Sequence, residues 1–112
     1  IIGLCVPLDR EPQMGQSTTL ELSGPPTAPW RVYYGMSRGT SNVPGVGVLE
    51  IAGARLLAQG ALNGNGEFML TQTVPSQPSL INRTIYLQMA TDVSSFGGAW
   101  LYSLVEEVTI RL

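Results

Sequence analysis

The sequence predicts an all-β protein, an antiparallel, immunoglobulin-like β-sandwich of about seven strands, from three observations. Apolar and polar residues alternate in several short segments, as in strands that bury one face. Clusters of Gly, Pro, Asn and Ser separate these segments. No segment has a clear helical period, and a length of 112 residues fits one domain.

The first segment, residues 1–8, is apolar, and its alternate residues share one face: Ile2, Leu4, Val6 and Leu8. A polar connector with Pro12 follows. We therefore expect residues 1–15 to form an N-terminal strand and connector, and residues 16–112 to form the sandwich domain. Pro7 has no N–H, which restricts this strand to a sheet edge. As an assembly strand, it either folds back on its own sheet or adds to the open edge of a neighbouring copy.

Two further strands are predicted at residues 17–23 and 30–36, because apolar residues occupy every second position. One face of the second strand is formed by Trp30, Val32, Tyr34 and Met36, and the other by Arg31 and Tyr33. Residues 37–47 are rich in Ser, Gly, Thr and Asn, which predicts a long loop. Residues 48–62 fit two short strands or one amphipathic helix, and the glycines in and beside them favour the strands.

The stretch from residue 63 to residue 92 organises the rest of the predicted sheet. Its first four residues, Asn-Gly-Asn-Gly, predict a tight hairpin turn, since Asn and Gly adopt positive φ at little cost. Two alternating runs follow, and their apolar faces consist of Phe68, Leu70 and Val74 in one and Ile85, Leu87 and Met89 in the other. We expect these runs to be strands of one sheet with one buried side.

The final segment, residues 99–112, is predicted to form one long strand. Val108 and Ile110 share a face, but extending that face backwards directs Glu106 inward. A β-bulge at Glu106 and Glu107, which adds one residue, would keep both carboxylates in water.

The composition argues against several kinds of function. The chain has no His or Lys, its six basic residues are scattered arginines, and its net charge is −2. These features offer no basic patch for nucleic acid, no Ser–His or Cys–His pair and no Schiff base. The single cysteine, Cys5, can form neither an internal disulfide nor a thiolate metal cage. No apolar run reaches the length of a membrane span. We expect no enzyme activity, no catalytic residue, no cofactor and no metal site.

Four aromatic residues form a candidate contact patch: Tyr33, Tyr86, Phe96 and Trp100. Tyr33 and Tyr86 fall opposite the apolar faces of their strands and are expected to be at least half-exposed, and Phe96 lies in a Gly-rich segment. Together these rings could stack on a sugar or contact a protein. The alternative is that Trp100 only seals one end of the sandwich and the tyrosines are scattered over the surface.

The order of short motifs resembles a known family. The motifs are Gly3-Leu-Cys5, Pro12-Gln-Met-Gly15, Leu20-Glu-Leu-Ser-Gly-Pro-Pro-Thr-Ala-Pro29, Tyr34-Gly-Met-Ser37, the Asn-Gly-Asn-Gly turn, Val74-Pro75 and Ile85-Tyr-Leu-Gln-Met-Ala90. Over nearly the whole chain they resemble a β-sandwich module at the C-terminal ends of large secreted proteins of environmental bacteria. The resemblance implies export and a non-catalytic role. Where that family commonly has a second Cys, in Gly-Cys-x-Leu, this sequence has Ala54, which leaves Cys5 without a partner in the chain.

The sequence therefore favours a non-enzymatic, extracellular structural protein that self-associates as a surface or filament subunit, with residues 1–8 as the candidate for strand addition. The expected partners are further copies of the chain, in a homo-oligomer or polymer, and not nucleic acid. The alternative is a carbohydrate-binding module that binds polysaccharide through its exposed aromatic residues.

Overall fold

A computed structural model describes residues 4–7, 11–44, 46–74, 77–92, 100–103 and 105–111. These residues form ten strands, and their bounds are β1 (Leu4–Pro7), β2 (Ser17–Ser23), β3 (Pro29–Gly35), β4 (Ser37–Val43), β5 (Gly47–Ala52), β6 (Arg55–Ala61), β7 (Glu67–Thr73), β8 (Thr84–Asp92), β9 (Trp100–Tyr102) and β10 (Glu106–Thr109). One short 3-10 turn (Pro78–Leu80) precedes β8. The predicted all-β class is confirmed, and so are the two short strands predicted within residues 48–62.

Two antiparallel sheets face each other, and their strand orders are those of an immunoglobulin-like sandwich. The first sheet has the order β1-β2-β7, and the second has the order β10-β8-β3-β6, with β9 also paired to β8. These orders correspond to the A-B-E and G-F-C-C′ sheets of that fold. Strands β4 and β5 form a separate hairpin, which lies in the sequence between β3 and β6, the strands that correspond to C and C′. The predicted sandwich is therefore confirmed, with more strands than the seven or so expected.

The core lies between the two sheets, where the alternating apolar side chains of both meet. The first sheet contributes Leu20, Leu22 and Leu70, and the second contributes Trp30, Val32, Leu87, Met89 and Val108. Trp30 also contacts Phe68 across the sandwich, with ring centroids 5.3 Å apart. These residues are the alternating positions from which the strands were predicted, so the period-2 pattern identified the buried faces correctly.

The hairpin of β4 and β5 forms a third layer on the outer face of the second sheet. Its side chains Leu49 and Ile51 are fully buried, and Leu49 packs with Tyr33 and Ala90 of the sheet below. Residues 37–47 were predicted to be a loop, and this prediction was wrong for most of the segment, because β4 covers residues 37–43. The side chains of β4 are exposed or half-exposed, and the strand is held by its backbone pairing with β5. For this reason its sequence shows no alternation of apolar residues.

The two runs within residues 63–92 belong to different sheets, which corrects their predicted pairing. Strand β7 pairs with β2, whereas β8 pairs with β3, β9 and β10. Their apolar faces meet across the core rather than side by side. The Asn-Gly-Asn-Gly segment forms a tight turn, in which the Gly66 N–H donates to the carbonyl of Asn63 and Gly66 has a φ of 77°. This turn connects β6 of one sheet to β7 of the other, so it is not the turn of a hairpin between paired strands.

The last strand is interrupted, and the extra residue lies just before the predicted bulge. Tyr102 pairs with Ala90, and Glu106 pairs with Leu87, so three residues face the two residues between these partners on β8. Ser103 occupies the irregular position. Its N–H donates to the Met89 carbonyl, and its hydroxyl accepts from the Met89 N–H, both at 2.9 Å. The Ser103 side chain thus replaces a backbone carbonyl in the ladder.

Candidate functional site: an open cleft between two strand edges

An open cleft lies between the two sheets at one end of the sandwich, where β6 begins and β7 ends, and it reaches across the second sheet as far as β10. Strand β7 is the last strand of the first sheet, and β6 is the last strand of the second. Among the described residues, neither strand has a second neighbour. The cleft has a volume of about 550 Å³. Edge strands carry backbone N–H and C=O groups that point away from their one partner, so the cleft is bordered by unpaired hydrogen-bonding groups.

The cleft is lined by uncharged and mainly apolar side chains. The second sheet and the segments next to it supply Tyr34, Met36, Leu56, Leu57, Ile85, Leu87, Val108 and Ile110. The first sheet and its connections supply Pro12, Thr18, Leu20, Gln72, Thr73, Val74, Gln77 and Leu80. Several of these side chains are not fully covered: Met36 is 38% exposed and Leu56 is 47% exposed. The cleft therefore presents core-type side chains to solvent.

A β-bulge explains why two consecutive leucines line the same cleft. In the pairing of β3 with β6, Val32 faces Ala58 and Tyr33 faces Leu56, so Leu57 is an extra residue on β6. In a regular strand, neighbouring side chains point to opposite faces, whereas a bulge redirects one of them. Both Leu56 and Leu57 consequently border the cleft. In the sequence, the two consecutive leucines in an otherwise alternating segment are the signal of this bulge. From the sequence alone, they left a strand and a helix as alternatives for this segment.

The wall of the cleft also contains a buried polar atom, the hydroxyl oxygen of Thr18. This oxygen is shielded from solvent and has no hydrogen-bond partner among the described residues. A buried hydroxyl without a partner costs about 1–3 kcal/mol, and a donor or acceptor entering the cleft would recover part of this cost.

Strand β7 has few of the features by which natural edge strands avoid pairing with other chains, and its one charge, Glu67, lies at its first position. It pairs with β2 over seven consecutive residues without a shift in register. Residues 68–73 contain no Pro, Gly or charge, and the large side chain of Met69 is 55% exposed. The outer strands β1, β6 and β10 each have such a feature in their described parts: β1 includes Pro7, β6 is bulged, and β10 begins with two glutamates.

The predicted aromatic patch is not assembled as a platform. Tyr33 is only 4% exposed, because the hairpin of β4 and β5 covers it, so its predicted exposure was wrong. Tyr86 is half-buried, and the guanidinium of Arg38 lies over its ring at 5.3 Å. Arg38 also forms an ion pair with Glu107 at 2.9 Å. Phe96 lies outside the described residues.

Trp100 lies at the other end of β8, away from Tyr86. Trp100 pairs with Asp92, which lies six residues beyond Tyr86 on β8. Six residues of a strand span about 20 Å. The guanidinium of Arg31 lies over the Trp100 ring at 5.1 Å. Trp100, Arg31 and Asp92 border a shallow depression of about 260 Å³. Trp100 and Tyr86 are therefore separate surface features, each next to an arginine.

The N-terminal assembly strand is described at residues 4–7. In the single chain, β1 pairs antiparallel with β2, and Leu4 and Val6 face Ser23 and Glu21 in the ladder. It is the outer strand of the first sheet, on the side opposite to β7. Ile2 and Leu8 lie outside the described residues.

Within the described ranges, no three Cys, Asp or Glu side chains come close enough together to hold a metal ion. None of the helical structure described is long and apolar enough to cross a membrane.

Comparisons with known proteins support the fold only. Neither the protein-family models nor the curated proteins give a match to this sequence. The structure is similar to the crystal structure of Spo0M, a sporulation control protein from Bacillus subtilis, with a TM-score of 0.50 and 10% sequence identity. The similarity covers 99% of this chain and 49% of that chain, so this chain spans about half the length of Spo0M.

Proposed function

We propose that this protein is a non-enzymatic, extracellular structural module that self-associates through the open edges of its sheets. The observation that carries the proposal is the unprotected edge of β7, which borders an uncharged cleft. A long, regular and apolar strand edge favours pairing with another chain, because its backbone groups and side chains gain partners at once.

The composition supports the same proposal. Only 12% of the residues are charged and the net charge is −2, so copies of the chain repel one another weakly. The resemblance to modules of large secreted bacterial proteins supports the extracellular location and the absence of catalysis.

Light scattering coupled to size-exclusion chromatography tests the proposal, with negative-stain imaging of any large species. The wild-type protein should associate in a concentration-dependent manner. Met69→Lys should weaken this association, since lysine on an edge strand opposes pairing. Met69 faces Glu21 on β2, so the new lysine gains an opposite charge within its own sheet and the fold should be retained.

Val48→Lys is the matched control, because Val48 is 56% exposed and lies on the β4–β5 hairpin, away from the cleft. It should associate as the wild-type protein does. A wild-type protein that stays monomeric at every concentration would contradict the proposal.

Polysaccharide binding is a second candidate, favoured by the depression at Trp100. Sugar ligands combine contacts to an aromatic ring with hydrogen bonds to charged groups, and Arg31 and Asp92 border this depression together with Trp100. Retardation of the protein on polysaccharide-containing native gels, abolished by Trp100→Ala, is the expected result. Equal retardation of wild-type protein and variant would exclude this site.

A further inference from the structure

We propose that the open edge of β7, which borders the cleft at its C-terminal end, accepts strand β1 of a second copy as a fourth strand of the first sheet. This inference rests on the proposed self-association and names its contact. Three features lead to it: the unequal width of the two sheets, the chemistry of the cleft, and the one-sided pairing of β1 in its own chain.

The first feature is that, among the described residues, no strand occupies the position beside β7. In that part of the chain the second sheet has four strands side by side and the first has three. Across the sandwich, β1 lies against β10 and β8, so the unmatched strand at the other side is β6. A fourth strand beside β7 would lie over β6 and cover the side chains of Leu56 and Leu57.

A single strand fits this position better than a whole domain does. If β7 of a second copy paired there, the second sheet of that copy would have to lie beneath it. That space is already occupied by β6. A segment that leaves its own sheet brings no second layer with it, and it can fill the vacant position alone.

The second feature is that the cleft selects an uncharged strand with apolar side chains at every second position. No charged residue lines the cleft, which borders residues 72–74 at the end of β7, and burial of an unpaired charge there would be costly. The one charge on β7, Glu67, lies at the opposite end of the strand. Residues 1–8 carry no charge and have a branched aliphatic residue at every second position: Ile2, Leu4, Val6 and Leu8. No other eight-residue stretch of the sequence has both properties.

The third feature is that the described part of β1 pairs on one side only. Its residues Leu4–Pro7 pair with β2, whereas the open edge of β7 is seven residues long. The lengths also match, since seven residues of β7 span about 23 Å and eight extended residues span about 26 Å. Pro7 is tolerated in both places, because both are edge positions.

A fluorescent peptide with the sequence of residues 1–8 tests the acceptor site on the full chain. Cys5 is replaced by Ser in the peptide to prevent disulfides, and a Lys-Lys tail keeps it soluble. Fluorescence polarisation should show saturable binding to the wild-type protein. A peptide with the same residues in an order that removes the alternation should bind at least about tenfold more weakly, because half of its apolar side chains would point away from the cleft.

The acceptor variant is Leu56→Lys, and its matched control is Val48→Lys. Both change an exposed aliphatic residue, 47% and 56% exposed, to lysine, but only Leu56 lines the cleft. Leu56→Lys should weaken peptide binding by about tenfold or more and should reduce self-association, since it places a charge where the strand docks. Val48→Lys should change neither. Circular dichroism of both variants checks that the fold is intact.

The outcomes separate this inference from the proposed function. If the wild-type protein associates and Leu56→Lys associates equally well, the cleft is not the acceptor, while self-association stands. If the peptide binds but Leu56→Lys binds it as the wild type does, the peptide has replaced β1 beside β2, and the inference is wrong. If the wild-type protein never associates, the proposed function fails together with the inference.

Discussion

Gln88 shows how one buried polar side chain joins the hairpin layer to the sandwich. It is 1% exposed, and both ends of its amide are paired. The carbonyl oxygen accepts from the Glu50 N–H at 2.9 Å, and the amide nitrogen donates to the Ser103 carbonyl at 3.0 Å. Gln88 therefore connects β5 of the hairpin to Ser103, the residue at which the last strand is interrupted. The hydroxyl of Tyr102 adds a second link, since it donates to the Val46 carbonyl at 2.7 Å.

Replacing Gln88 by Met should destabilise the protein by about 2–4 kcal/mol. The volume is nearly retained, but the buried Ser103 carbonyl and the half-buried Glu50 N–H lose this partner, at about 1–3 and about 1 kcal/mol respectively. The free energy of unfolding in urea measures this loss. Gln59→Met, at an exposed position of β6, is the control and should stay within about 0.5 kcal/mol of the wild type. A loss for Gln88→Met as small as that of the control would show that the two hydrogen bonds contribute little.

Cys5 is expected to be dispensable for the fold. It lies on the edge strand β1, in register with Leu22, and the sequence contains no second cysteine. Cys5→Ser should fold with a loss below about 3 kcal/mol, the lower range for a truncated core side chain. Its melting temperature gives the loss, and electrophoresis without reductant shows whether Cys5 links two chains of the wild-type protein. A larger loss would mean that Cys5 is a core residue.

At the scale of elements, the β4–β5 hairpin determines which face of the second sheet is accessible. It buries the outer face of β8, which carries Gln88 and Ala90, so that β8 is covered on both sides. The hairpin can approach because Gly35 has no side chain: a Cβ at this position would overlap Ile51 and lie 3.0 Å from the Ala52 carbonyl. Tyr33 is inaccessible because the hairpin packs directly on this face of β3.

Gly35→Ala should therefore loosen the hairpin and destabilise the fold by about 1–3 kcal/mol, as for overpacking of a core. Hydrogen exchange should be faster in β5 than in the wild type, whereas exchange in β2 and β7 should change less. Gly64→Ala is the control, because a Cβ there would have no neighbour within 4 Å. Unchanged exchange in β5 would show that the hairpin adjusts without strain.

Deletion of residues 1–8 tests the role of β1 as a whole element. If β1 is donated between copies, the shortened protein should remain folded and should no longer self-associate, as measured by circular dichroism and light scattering. Unfolding of the shortened chain as a monomer would instead assign β1 a purely intrachain role. Retained self-association would exclude strand donation.

At the scale of the whole molecule, the small share of charged residues, 12%, and the uncharged cleft support the proposed contact function. The two adjacent carboxylates of Glu106 and Glu107 lie on an outer strand, and Glu107 is engaged by Arg38. No general base of the His or Lys type is present in the sequence.

We accordingly predict no hydrolase, transferase or redox turnover. Assays with representative ester, peptide, glycoside and phosphate substrates should give rates equal to those of buffer. A specific activity that is lost on changing Glu106 or Glu107 alone would overturn this prediction.

Much of the fold could be predicted from alternation alone. Because side chains of a strand alternate between its faces, the spacing of Leu20, Leu22, Val32 and Met89 identifies them as core residues before any partner strand is known. Turn residues likewise indicate where strands end, as at Gly66. These signals are local, and they depend only on residues that are close in sequence.

The candidate site depended on tertiary structure. Alternation does not specify which strands become neighbours, because pairing is a long-range choice made by the whole chain. For this reason β7 and β8 were wrongly expected in one sheet, and the polar strand β4 gave no signal. The same choice buried Tyr33 beneath the hairpin and, among the described residues, left β6 without a strand opposite it. The sequence by itself determined the class and the buried faces, whereas the assembly of both sheets, a long-range choice, placed the cleft at one end of the sandwich.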